Sequence, residues 1–137
     1  MTDALWNLIG ASGRGALVAL KRDGRPQLSN VDYLREGDLI RISSTADRAK
    51  VRNLRRDPRA SLYVSTADGG WYAVAEGVVE LSAVAAEPGD AAVEELIEVY
   101  RGIRGEHPDW ADYRHAMVAD QRLVIRLHVT RRYGMAP

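Results

Sequence analysis

A chain of 137 residues, 46% apolar and 28% charged, has the size and composition of one globular domain that buries about two thirds of its unfolded surface. Its 19 basic residues balance 19 acidic ones, so net charge calls for neither a nucleic acid nor a membrane surface as partner. The absence of cysteine excludes disulfides, thiolate metal sites and a cysteine nucleophile, and three scattered histidines give no metal-ligand spacing.

The N-terminal MTDALWNLIGAS carries an early acid and no basic segment, and its apolar run is short for a secretory signal. It reads as a short helix of a cytoplasmic protein. No apolar run approaches the length of a bilayer span, and nothing resembles a linker, so residues 1–137 are taken as a single domain. Gly15 to Lys21 is a short apolar strand, followed by a turn in which Gly24 supplies a positive φ. Pro26 opens a second strand, to about Tyr33, within GRPQLSNVDY. Gln27 and Ser29 fall on one side of it and Asn30 and Asp32 on the other, so these polar groups cannot all face one solvent layer.

Glu36-Gly37-Asp38 makes the next turn, and residues 38–44 form a third strand with Leu39 on one face and Ile40 and Ile42 on the other. Thr45 or Asp47 is expected to cap a short helix that ends before Pro58, and residues 59–65 return as a strand. Asp68-Gly69-Gly70 turns into a long strand from Trp71 to Ser82, in which Gly77 marks a bulge or bend. A helix over 91–104 places Val93, Leu96, Ile97 and Tyr100 on one face, with Glu94, Glu95 and Glu98 as its wet side. Asp109 caps a second helix to about Val118, and residues 122–129 form a last strand with Leu123, Ile125, Leu127 and Val129 on one face. Five or six antiparallel strands, with helices inserted after the third and fifth, predict a small closed or split β-barrel rather than a parallel α/β sheet.

The helix before Pro58 carries the strongest charge pattern. Arg48, Lys50, Arg52, Arg55, Arg56 and Arg59 face a single acid, Asp57. At about 100° per residue, Val51 and Leu54 point to the core, Lys50 and Asn53 to one side, and Arg48, Arg52 and Arg55 to the other. Ser43, Ser44 and Thr45 run straight into it, so hydroxyls, cations and free backbone N–H groups meet as a phosphate requires. The charge run alone is more simply a solvated surface helix.

Three segments together carry a family resemblance: GRPQLSNVDY, then SSTADRAKVRNLRRDPRASLYV, then DGGWYAVAEGVVEL. In this order and spacing they resemble the pyridoxamine 5′-phosphate oxidase-like flavoproteins, and more narrowly the small actinobacterial deazaflavin (F420)-dependent oxidoreductases. The resemblance implies a mainly β, antiparallel Greek-key split barrel, the FMN-binding split-barrel fold. It implies a homodimer with the cofactor at the subunit interface, and a small unsaturated or conjugated substrate that receives a hydride from reduced F420. It matches Arg48, Lys50, Asn53 and a Ser43-Ser44 turn to the phosphate region, and Gln27, Leu28, Ser29 and Asn30 to the strand along the ring. Trp71, Tyr72 and Ala73 would cover the ring from the partner, although sheet packing explains Trp71 and Tyr72 equally well. The tail Arg132-Tyr133-Gly134-Met135 matches a segment near the cofactor.

Because F420 would carry the hydride, no catalytic side chain is expected, and the sequence has no Gly-x-Ser-x-Gly, His-Glu-x-x-His or Walker loop. Arg52, Arg55, Arg56 and Arg59 exceed the needs of one phosphate and suit the polyglutamate tail of F420, which favours it over FMN, though Arg55 and Arg56 equally suit solvent. An FMN-dependent pyridoxamine 5′-phosphate oxidase-like enzyme stays open, as do a non-catalytic cofactor-binding protein and a nucleic-acid-binding barrel. Against the last, no aromatics interleave with the arginines. Arg126 and His128 read as a polar sheet face, and His107 and His115 as boundary or surface residues rather than metal ligands.

Overall fold

The computed structural model describes residues 3–137. Helix α1 (Ala4–Ser12) starts at Asp3, whose carboxylate accepts the Trp6 N–H, and ends at Gly13, whose φ of 68° turns the chain into the sheet. The remaining elements are β1 (Arg14–Leu20), β2 (Pro26–Asp32), β3 (Leu34–Glu36), β4 (Leu39–Thr45), α2 (Ala49–Arg56), β5 (Arg59–Ser65), β6 (Tyr72–Leu81), α3 (Ala91–Arg104), α4 (Trp110–Ala119) and β7 (Arg122–Met135). All seven strands pair antiparallel in one sheet, in the order β2-β1-β5-β6-β7-β4-β3. The sheet curls into a half-barrel that brings β2 back against β4, with four strands between them in the sheet order. This is the mainly β split-barrel architecture expected from the sequence.

Pairing registers separate the faces of the sheet. Leu17, Ile40, Ile42, Leu62, Ala75, Ile125 and Leu127 line the inside, closed by Trp6 and Ile9 from α1 and by Val51 and Leu54 from α2. On the other side of β7, Val124 joins Val93, Leu96, Ile97 and Met117 in a second cluster that seats α3 and α4. Gly77 is the predicted bulge: the β6/β7 register shifts between Glu76 and Gly77, and a Cβ at Gly77 would lie 1.9 Å from the His128 carbonyl oxygen.

Four local expectations are corrected. The described residues form seven strands, because Gly37 at φ 61° allows a two-residue hairpin that pairs Glu36 with Leu39 and creates β3. The last strand continues past Val129 to Met135, since β6 beyond its bulge still offers partners, Ala75 for Arg132 and Tyr72 for Met135. Neither Thr45 nor Asp47 caps α2; Thr45 still pairs with Arg122 in the sheet, and the cap position falls to Arg48, which makes no side-chain cap bond. Finally, Glu95 is not on a wet face. The Arg126 guanidinium donates to it at 2.5–3.0 Å and Arg41 lies 3.6 Å away, because β4 and β7 present these two arginines beneath α3. Glu94 and Glu98 are exposed as expected, and Glu98 reaches back to Arg41 at 2.8 Å.

Candidate functional site

A cavity of about 420 Å³ is lined by residues of β2, β4, α2, α3, α4 and the start of β7. Asn30, Ser43, Lys50 and Arg122 supply polar lining, and Val99, Ile103 and Met117 an apolar wall. Tyr100 and Tyr113 also line it, with their rings 5.0 Å apart at 61°. The Tyr113 hydroxyl donates to the Leu96 carbonyl at 3.0 Å, which fixes that ring against α3.

Lys50 is placed there by the helix period. Val51 and Leu54 are buried, so α2 is locked by its apolar face and Lys50 falls on its flank. Burial, and then the charges of Arg48 and Arg122, hold its ammonium below the ordinary lysine range. Among the described residues no carboxylate forms an ion pair with Lys50 or Arg122. Arg122 is the first residue of β7 and pairs with Thr45 of β4. Gln121 just before it has φ 51°, unusual for a side-chain-bearing residue, and its carbonyl accepts the Ala46 N–H at 2.9 Å. Arg122 Nη1 donates to Ser43 Oγ at 3.2 Å, while its Nε–H is buried without a partner.

Asp32 and Arg104 border the same cavity and form an ion pair of 2.8 Å between β2 and the end of α3. The hydrogen-bonded Arg14 guanidinium, with a smaller contribution from Arg104, holds the Asp32 carboxyl below its usual range.

The other predicted residues distribute around this cavity rather than inside it. Gln27 and Asn53 share a separate shallow depression with Lys21, Arg22 and Ala49. Arg48 lies in a neighbouring one with Asp47, Asp120 and Gln121. Ser43 and Ser44 belong to a strand, not a turn, and the Ser44 side chain points inward, donating to the Thr45 carbonyl at 3.1 Å. Along β2 the alternation is as expected: Gln27, Ser29 and buried Val31 turn one way, and exposed Leu28 and Asn30 the other. Gln27 Oε1 and Ser29 Oγ are buried with no hydrogen-bond partner. Trp71 is exposed just ahead of β6, Tyr72 is half-buried with its ring 6.0 Å from that of Tyr63, and Ala73 is fully buried. The segment 132–135 is the end of β7, where Arg132 stacks over Trp6 and pairs with Asp3.

Of the basic stretch, Arg52, Arg55, Arg56 and Arg59 are exposed. Arg52 donates to the Asp47 carbonyl, Arg56 to Asn53 and the Leu20 carbonyl, and Arg59 to Asp57. Arg126 and His128 are engaged with Glu95 and Glu80 away from the cavity, as a polar sheet face. His107 packs among Tyr100, Trp110 and Tyr113 at the α3–α4 junction. Arg122 was not foreseen, because in sequence it is only the first residue of an alternating strand. Nor were Tyr100, which read as helix core, and Tyr113.

Chemically, the cavity offers two cations outside any ion pair among the described residues, Lys50 and Arg122, with a hydroxyl, an amide and aromatic and aliphatic groups, besides the paired Asp32 and Arg104 and the exposed Asp120. Unpaired cations beside hydroxyl and apolar groups are chemically suited to an oxyanion attached to a flat or apolar body.

The sequence profile of the pyridoxamine 5′-phosphate oxidase family matches residues 1–136. The chain therefore belongs to that family, which is of oxidoreductase type. Among solved structures, the conserved hypothetical protein Rv2991 of Mycobacterium tuberculosis is similar over 99% of this chain and 85% of its own, with a TM-score of 0.76 and 24% identity. An F420 reductase is similar over 97% of this chain and 98% of its own, with a TM-score of 0.69 and 21% identity. A heme binding protein of Mycobacterium smegmatis shares the fold over 99% of this chain but 59% of its own, at a TM-score of 0.68 and 19% identity. No helix among the described residues is long and apolar enough to cross a membrane.

Proposed function

We propose that this protein is a reductase that takes reduced F420 as its hydride source and delivers the hydride to a small unsaturated or conjugated substrate. The observation that carries the reading is Lys50: a half-buried ammonium with no carboxylate partner among the described residues, in a cavity with Ser43 and Arg122. The residues present fit a phosphate-bearing deazaflavin. Lys50 lacks a counter-charge among the described residues, and Arg122 Nε lacks a partner that a polar ligand in this cavity would supply. The exposed cations of α2 suit an acidic tail, and the likeness to an F420 reductase agrees with that choice.

In this reading Lys50 and Ser43 hold the phosphate, β2 supports the ring, and the apolar wall from α3 and α4 keeps water out of the cavity. F420, when bound, supplies the hydride chemistry, so this chain contributes binding, orientation and exclusion of water rather than an acid–base pair.

The proposal includes a homodimer. The outer sheet face presents Leu28, Tyr63, Val78, Tyr133 and Met135, each 43–60% exposed, and their pairing registers put them on one side. A second copy on this band would bury it and bring its own Trp71 and Tyr72 toward the cofactor. Titrating the apo protein with F420 and with FMN, followed by ligand fluorescence, tests the reading. Micromolar or tighter binding of F420 without FMN binding supports it. A yellow protein that retains FMN through purification refutes the deazaflavin choice.

A further inference from the structure

Arg122 has a buried Nε–H that nothing in the protein accepts. A guanidinium donates in a planar fork, and leaving one of its buried N–H groups unpaired is costly unless a ligand supplies the acceptor. One arm of the fork is already set, because Nη1 donates to Ser43 Oγ at 3.2 Å. The serine oxygen accepts there, so its own O–H remains free to donate elsewhere. Lys50 lines the same cavity, and no ion pair among the described residues neutralises either cation.

We infer that Arg122 is a second ligand of the anion that Lys50 binds, so that β7, β4 and α2 each contribute one donor, Arg122, Ser43 and Lys50, to a phosphate-class oxyanion. The inference rests on reading Lys50 as an anion ligand and adds a residue from the opposite end of the chain. Gln121 and Arg122 turn out of α4 directly into the pairing of β7 with β4, so the guanidinium is presented by rigid backbone rather than by a loop tip. Burial, then the charge of Arg48 and then that of Arg122, disfavour the Lys50 ammonium. An oxyanion between Lys50 and Arg122 relieves both. Of the cavity's carboxylates, Asp32 is paired with Arg14 and Arg104, and Asp120 is exposed and makes no ion pair among the described residues, so neither performs that role in the protein as folded.

The test uses the full-length apo protein and inorganic phosphate. Binding is followed by thermal shift and by NMR titration of the Lys50 side chain. Wild type is expected to bind phosphate saturably and to show a rise in the Lys50 pKa on binding. Arg122→Gln, checked for fold by circular dichroism, should bind phosphate at least about tenfold more weakly. Its Lys50 should titrate higher than wild type even without phosphate, whereas in Arg122→Lys, which keeps the charge, it should stay near the wild-type position. Arg122→Lys should recover part of the affinity. The inference is overturned if wild type takes up no phosphate, or if Arg122→Gln binds it as wild type does with Lys50 unmoved. The cofactor reading fails separately, in the F420 titration: phosphate binding that needs Arg122, in a protein that takes neither F420 nor FMN, would keep this site and discard that cofactor.

Discussion

Replacing Gly77 with alanine probes the bend that shapes the half-barrel. The added Cβ would stand 1.9 Å from the His128 carbonyl oxygen, 2.8 Å from its carbon and 3.0 Å from the Val129 Cα, all of them backbone. Ordinary contact begins near 3.4 Å, so β6 and β7 must part locally by about 1.5 Å, because backbone cannot swing aside as a long side chain would. The pairs Gly77–Val129 and Val78–His128 lie at this point, and their ladder would be strained or lost. The expected loss is about 3 kcal/mol, the upper end for overpacking. For a chain of this length that corresponds to a fall in Tm of about 10 °C. Glu76→Ala, one residue away with no such contact, should stay within about 0.5 kcal/mol of wild type. Urea and thermal unfolding of the three proteins measure this. If Gly77→Ala melts within a few degrees of wild type, the close approach of these strands is not what keeps the position glycine.

Two further outcomes follow from particular groups. Burial pushes the hydroxyls of Tyr33 and Tyr113 up to about 12 from an ordinary 10.0. Since the folded state holds these protons more tightly than the unfolded chain, their contribution to stability is intact below pH 10 and is lost as pH rises through about 12. Ultraviolet titration should show two late-ionising tyrosines that are released together with unfolding, and Tyr33→Phe should leave one. For the proposed dimer, Tyr63→Asp on the outer sheet face should shift sedimentation from dimer toward monomer without loss of helix and strand content; a monomeric wild type at micromolar concentration would refute the dimer.

Several determinants of this fold act locally and were readable from the chain. Val51 and Leu54 share a helical face, Gln27 and Ser29 oppose Asn30 and Asp32, and Gly77 interrupts an otherwise regular strand; each follows from a period or from a missing side chain. What was not readable depends on which elements meet. Glu95 looked solvated, because nothing in α3 says that Arg126 and Arg41, from two adjacent strands, lie beneath it. Thr45 resembled a helix cap, but its backbone is claimed by pairing with Arg122. The strand β3 has three residues, too few to show a period. Arg122 is 72 positions from Lys50 and joins it only because β7 pairs beside β4. Lys50, Ser43 and Asn30 do converge on one cavity, whereas Ser44 turns inward and Gln27 and Asn53 line a separate depression.

The central claim is that Lys50 anchors the phosphate of a deazaflavin. Fluorescence titration of F420 into wild type and Lys50→Ala tests it most directly. Loss of a charge-assisted contact in a half-buried site predicts affinity at least about tenfold weaker in the variant, with its fold unchanged. Equal affinity in the two proteins would contradict the account.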